Sequence, residues 1–328
     1  MKKVIVVIVF ALLGLKVGAQ QMPQYSQYMI NQYVLNPAVT GTYDYAHVLA
    51  GYRNQWVGAF HNPNGGNDNP VTYYLSGHTS IARGNLKPHP YRNKHNSYHG
   101  VGGMAYQDQT GPTSHLGVLG SYAYNTRLTG SWRMSMGVFL GFQQYTIDGN
   151  KLNFHEQEDI GVQRKIVPDG SAGIWLYNKN IYFGASVAQL FQSKLDIQTV
   201  NPDGSVQPVG KLANHYYITS GIKLDVAHDW DIVPSFLIKY NRPAPISIDL
   251  NAKIRYRNML WFGASYRNLD SFVFLCGIVI GKNGGFEFGY SYDMTVSKIH
   301  RITAGSHEIV LGMRLWPRVR LDCPSNFW

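Results

Sequence analysis

The chain has 328 residues, 45% hydrophobic, 13% aromatic and only 15% charged, with 29 Lys and Arg against 19 Asp and Glu for a formal net charge of +10. That surplus is scattered rather than gathered in a basic run, which argues against nucleic acid as a partner and fits strand ends beside anionic lipid head groups. Two cysteines, Cys276 and Cys323, are too few for a disulfide framework and wrongly spaced for a metal knuckle.

Met1 to Ala19 reads as a secretory signal. Lys2 and Lys3 precede an apolar run from Val4 to Leu15, and Val17-Gly18-Ala19 forms a small-residue cleavage site before Gln20. Its 12 apolar residues fall short of the roughly twenty a spanning helix needs. No Cys stands at the start of the mature chain, against a lipoprotein anchor, and taking away Lys2, Lys3 and Lys16 lowers the net charge from +10 to +7. Gln20 to Thr42 is polar and aromatic, carries Pro23 and Pro37 and lacks a clear period, so it is expected to be an ordered periplasmic or lumenal arm.

Beyond it, alternating runs predict about 14 strands, near 45–58, 71–83, 98–109, 113–127, 131–147, 169–178, 180–191, 213–226, 230–242, 245–256, 259–269, 271–281, 284–293 and 307–316. Ile246, Ile248, Leu250, Ala252, Ile254 and Tyr256 share one parity, whereas Ser247, Asp249, Asn251, Lys253 and Arg255 share the other. Phe286, Phe288, Tyr290 and Tyr292 likewise oppose Gly285, Glu287, Gly289, Ser291 and Asp293. In the run from Trp132 to Gln143 only Phe139 is out of place. Cys276 shares the apolar parity of Phe272, Phe274, Ile278 and Ile280.

A greasy face opposed by a polar, glycine-rich one predicts an all-β fold: a single transmembrane antiparallel β-barrel of residues 43–316, with lipid outside and water inside. A soluble all-β protein is the rival reading. The 23 Tyr and 7 Trp suit interfacial girdles, and 34 Gly keep inward side chains small. Asn268-Leu269-Asp270-Ser271 and Lys282-Asn283-Gly284-Gly285 read as tight turns, and Arg242-Pro243-Ala244-Pro245 as a break in pairing. The longer connections 62–69, 84–96, 148–167 and 195–210 are candidate extracellular loops. An even strand count puts both termini in the periplasm, with 317–328 as a C-terminal tail.

No enzyme or nucleotide-binding signature is present, and His89, His95 and His99 read as solvated loop histidines, so no metal, cofactor or catalytic residue is expected.

The run Pro23-Gln24-Tyr25-Ser26-Gln27-Tyr28-Met29-Ile30-Asn31, then Leu35-Asn36-Pro37-Ala38-Val39-Thr40-Gly41, resembles the opening motif of the PorP/SprF outer-membrane proteins of type IX secretion in Bacteroidetes. Ser306-His307-Glu308-Ile309-Val310-Leu311-Gly312 resembles the family's last-strand motif, so the likeness spans nearly the whole mature chain. Thr40 departs from the Ala, Tyr or similar residue of the pattern. A plainer reading also stands: Asn36-Pro37 and Gly41 cap a turn into the first strand, which leaves the Gln and Tyr run unexplained.

The resemblance implies a non-enzymatic component of secretion and gliding machinery in the Gram-negative outer membrane. Its partners would be membrane lipid and either a periplasmic ring lipoprotein or the C-terminal signal of a secreted adhesin. Candidate partner-binding or plug residues are Pro23, Gln24, Tyr25, Ser26, Gln27, Tyr28, Asn36, Pro37, Phe327 and Trp328, and candidate barrel-closure residues are His307, Glu308, Gly312 and Trp316. Fourteen strands enclose more space than eight strands' side chains can fill, so the arm is available to fill part of the lumen. An outer-membrane porin or solute transporter using Asp249, Lys253 and Arg255 is the alternative, and a barrel enzyme a third.

Overall fold

The computed structural model describes residues 22–60, 68–81, 97–149, 161–200, 206–242, 244–268, 270–281 and 285–316, with backbone alone for 196–200 and 206–209. Among them there is no α-helix. The strands are β1 (Ala46–Asn54), β2 (Val71–Ser80), β3 (Tyr98–Thr110), β4 (Thr113–Arg127), β5 (Arg133–Asp148), β6 (Val162–Tyr177) and β7 (Ile181–Ala188). Then come β8 (Lys194–Val200), β9 (Val206–Lys211), β10 (His215–Ile222), β11 (Leu224–Ala227) and β12 (Trp230–Tyr240). The last five are β13 (Ser247–Tyr256), β14 (Leu260–Arg267), β15 (Ser271–Ile280), β16 (Gly285–Thr295) and β17 (Ser306–Leu315).

All but β8 and β9 form one antiparallel sheet in chain order. It is closed because β1 pairs with β17 from Ala46↔Leu315 to Asn54↔His307, and because β10 and β11 both pair with β12. β10 and β11 are two halves of one stave, so the closed barrel has 14. Their interruption at Lys223 has a cause across the ladder. Tyr216 to Gly221 pair with Tyr240 to Ser235, and pairing resumes at Leu224↔Ile232, so the gap faces Pro234, which has no donor to offer.

Side chains sort by parity as the sequence implies. On β13, Asp249, Asn251, Lys253 and Arg255 are buried, whereas Ile248, Leu250 and Ile254 are exposed, and Cys276 is half-exposed among the outward residues of β15. Outward aromatics ring both ends of this apolar band, with Tyr52, Tyr73, Tyr216 and Tyr266 at one level and Tyr122, Tyr124, Trp132 and Trp230 at the other. From Ile246 to Tyr256 the outward stretch, at ~3.3 Å per residue and a tilt of ~40°, is about 25 Å tall, the thickness of a bilayer's apolar layer.

Two connections differ from expectation. β6 begins at Val162, inside the expected loop 148–167, because it pairs with β5 as far as Asp148↔Val162. β6 pairs with β7 only from Ala172 onward, so this stretch has a single neighbouring stave and admits Pro168. Within 195–210, β8 and β9 form a separate hairpin, with Leu195 and Leu212 buried against Val167.

Strict alternation also fixes which mouth each connection serves. The connections after β1, β5, β7 and β16, which are long, share one mouth. The expected loop 84–96 joins β2 to β3, so it leaves from the opposite mouth, with the short turns after β4, β6, β11 and β13. The four long connections therefore cannot all be extracellular. Residues 62–67, 84–96 and 150–160, the Lys282-Asn283-Gly284 turn, and the His89 and His95 sites lie outside the described residues.

Candidate functional site

Met22 to Tyr45 runs through the barrel from the long-loop mouth to the short-turn mouth. Gln189 Nε2, just past β7, donates to the Met22 sulfur at 3.2 Å at the first mouth. At the second, the Arg314 guanidinium lies 5.0 Å over the Tyr45 ring. Between these points Ser26, Gln27, Asn31, Gln32, Asn36, Thr40 and Thr42 are all almost fully buried. An even stave count does bring the start of β1 and the end of β17 to one mouth. The arm ahead of β1 nevertheless carries the chain back through the bore, so Met22 and Trp316 lie at opposite mouths.

The local structure of the arm explains its Asn-Pro pair. Gln32–Val34 and Pro37–Val39 are single 3₁₀ turns, and Asn36 caps the second by accepting from Ala38 N at 2.9 Å. Its Nδ2 also donates to the backbone carbonyls of Ile174 at 3.1 Å and Ala185 at 3.2 Å, so one side chain starts a turn and holds it to the wall. Gly41, at φ 70°, donates its N–H to His78 Nδ1 at 3.1 Å where a side chain would strike Gly100.

Inward glycines give the arm room. A Cβ at Gly137 would collide with the Pro37 carbonyl, one at Gly173 with the Asn36 amide, one at Gly100 with the Thr40 carbonyl and one at Gly289 with Gln27. Phe139, the residue that broke the alternation, faces inward and meets the Tyr33 ring edge-on at 5.1 Å. Tyr25 meets Tyr74 in the same way at 5.0 Å.

A charged knot fastens the start of the arm. Glu308, with no exposed surface, accepts from the backbone N–H of Ser26 at 2.7 Å and of Gln27 at 3.3 Å, from Arg53 Nη1 at 3.2 Å and from the Tyr74 hydroxyl at 3.3 Å. The Ser26 hydroxyl donates to Asp293 at 2.6 Å and accepts from Arg53 at 2.7 Å, while Arg53 pairs with Asp293 at 2.8 Å. Arg267 continues the network to Asp293 and Asp249, each at 3.4 Å. With its carbonyl turned to the guanidinium, Gln24 accepts from Arg267 Nη1 at 3.0 Å. Asn251 Nδ2 donates to the Tyr28 hydroxyl. Buried charges persist when each has a counter-ion, and Glu308, Arg53, Asp293, Arg267 and Asp249 supply counter-ions to one another, although Arg53 Nε and Asp293 Oδ1 keep no hydrogen-bond partner.

The two motif segments therefore meet: Ser26 and Gln27 from one, Glu308 from the other. His307 faces outward and shares a hydrogen bond with the Tyr290 hydroxyl at 2.7 Å. At Gly312 a Cβ would strike Leu49, and Trp316, 73% exposed, follows β17. Phe327 and Trp328 lie outside the described residues. Arg53 could not be singled out from the sequence because its partners Asp293 and Glu308 lie 240 and 255 residues away, whereas Arg267 also pairs with Asp270, three residues on, at 3.1 Å.

The family model for the type IX secretion system membrane protein PorP/SprF matches residues 17–313. The chain belongs to the PorP/SprF family. Both the arm and Glu308, which anchors it, lie within the matched region. Comparison with curated protein sequences finds no match. Among solved structures, this PorP/SprF-family barrel is similar to the CymD monoaromatic hydrocarbon channel, at 12% identity and TM-score 0.49 over 90% of this chain and 94% of that one. It is also similar to the Pseudomonas putida toluene transporter TodX, at 9% identity and TM-score 0.48 over 87% and 93%. A Pseudomonas aeruginosa FadL homologue matches at 9% identity and TM-score 0.46 over 90% and 94%.

Proposed function

We propose that this chain is a non-catalytic docking platform of the type IX secretion and gliding machinery, inserted in the outer membrane and closed to free solute by its arm. The observation that carries this reading is the buried knot of Ser26, Arg53, Asp293 and Glu308, which ties the arm to the wall. A solute path would have to break it. In this reading residues 1–19 are removed on export, the long-loop mouth faces outward, and residues 317–328 hang in the periplasm.

That orientation gives the two candidate partners separate faces. A ring lipoprotein would meet the short-turn mouth and the tail with Phe327 and Trp328. The C-terminal signal of an exported adhesin would meet the long loops, where Pro23, Gln24 and Tyr25 begin the arm. Site-specific crosslinking from each face in intact cells tests the proposal. Capture of a secretion protein from at least one face is expected, and capture from neither refutes docking. The arm is tested separately in planar bilayers, where steady nonselective conductance of the purified protein would refute closure and favour the porin or transporter reading.

A further inference from the structure

We propose that a groove on the outside of the barrel, beside Tyr216 and Tyr240 at the long-loop mouth, binds the phosphorylated sugar headgroup of a glycolipid. The site rests on the orientation above only for the leaflet it meets. Tyr216 and Tyr240 face each other across the β10–β12 ladder on the lipid-facing parity, at the level of the outward aromatic ring. Just beyond them Lys211, at the end of β9, and Arg242, after β12, line an open groove of about 620 Å³.

Three features identify the ligand class. The first is charge. Lys211 and Arg242 are exposed, and among the described residues no acidic side chain pairs with either. At the opposite mouth the exposed Arg257 is paired, with Asp229 at 3.0 Å. Arg242 Nε donates to the Tyr240 hydroxyl at 3.0 Å, which holds the guanidinium at the groove while its Nη groups remain as donors for an anion. The second is position, since cations at head-group depth beside an aromatic girdle meet lipid phosphate before any free solute. The third is size and lining. The groove is larger than one phosphate requires, and Gln192 and Asn214 add amides suited to sugar hydroxyls, with Asn214 Nδ2 3.4 Å from the Tyr216 hydroxyl.

The full chain in detergent micelles is titrated with bisphosphorylated lipid A, phosphatase-treated lipid A and phosphatidylglycerol. With each cation contributing roughly fivefold, K211Q/R242Q is expected to bind bisphosphorylated lipid A roughly thirtyfold more weakly. The single variants should fall between, and heat-modifiable migration should be unchanged because both side chains are exposed. Equal affinity of wild type and double variant overturns the site. Equal binding of phosphatase-treated lipid A overturns the phosphate assignment, and equal binding of phosphatidylglycerol overturns the sugar. Full competition by millimolar inorganic phosphate would mean a free-anion site and overturns the lipid. No secretion partner is present, so the outcome is independent of the docking reading.

Discussion

Replacing Glu308 by Ala separates an arm that is held from one that merely fits. The carboxylate holds two backbone N–H groups of the arm, the Tyr74 hydroxyl and Arg53. Removing one partner of a buried ion pair costs about 3–5 kcal/mol, and Arg53 keeps Asp293 at 2.8 Å, so the ionic loss belongs at the low end of that range. The stranded N–H groups of Ser26 and Gln27 add on the order of 1 kcal/mol, for a total of about 4 kcal/mol. Deleting 23–28 removes those donors and admits water to the knot, so in that background the same substitution should cost only about 1 kcal/mol. The cycle thus predicts a coupling energy of about 3 kcal/mol between Glu308 and the arm. The assay is urea unfolding in micelles followed by tryptophan fluorescence, with E308Q, which retains one acceptor oxygen, falling between the extremes. Equal losses in both backgrounds would show that Glu308 serves the wall alone and would refute its anchoring of the arm.

Gly137→Val drives a side chain into the Pro37 carbonyl, whereas at the outward Gly120 a Cβ meets only Leu140 O at 3.8 Å. The first is expected to produce stepwise conductance in planar bilayers and Gly120→Ala none; silence from both would sink the idea that the glycines seat the arm. Leu250→Arg places a charge on the lipid face at mid-band and should lower unfolding stability by about 2–4 kcal/mol, read from the urea midpoint. A tag inserted after Gln20 should be reached by antibody on intact cells while one after Trp328 is not, and the reverse pattern would invert the proposed orientation.

Much of the wall was legible because period-two alternation is local. Each outward position of β13 and β16 carries its own hydrophobic requirement, so neighbouring residues suffice to mark the face. The extension of β6 escaped notice because Val162, Arg164 and Ile166 on one parity are exposed and Gln163 and Lys165 on the other are half-exposed, which weakens the contrast between faces. The misplaced loop 84–96 is another matter: strand order alone excludes it from the long-loop mouth, and counting staves would have found it. Phe139 was a local signal of a filled interior, as were the inward Trp175 and Trp261, since an inward aromatic in a wet bore has no purpose unless something packs on it. Arg53 gave no such signal. An inward charge facing water and one facing Asp293, 240 residues away, look alike in sequence.

The same reasoning recasts the arm as core rather than accessory. Fourteen staves surround more volume than their own side chains fill, and the sequence spends much of its inward parity on glycine, which enlarges the gap. Water alone could fill it, but then Arg53, Asp293, Arg267 and Glu308 would be ordinary solvated lumen charges with no need of fixed partners. Instead the arm's N–H, amide and hydroxyl groups bond to Glu308, Asp293 and Arg267, and the glycines bring its backbone within reach of the wall. Loss of the arm therefore removes interior contacts along the full height of the barrel, from Met22 at one mouth to Tyr45 at the other.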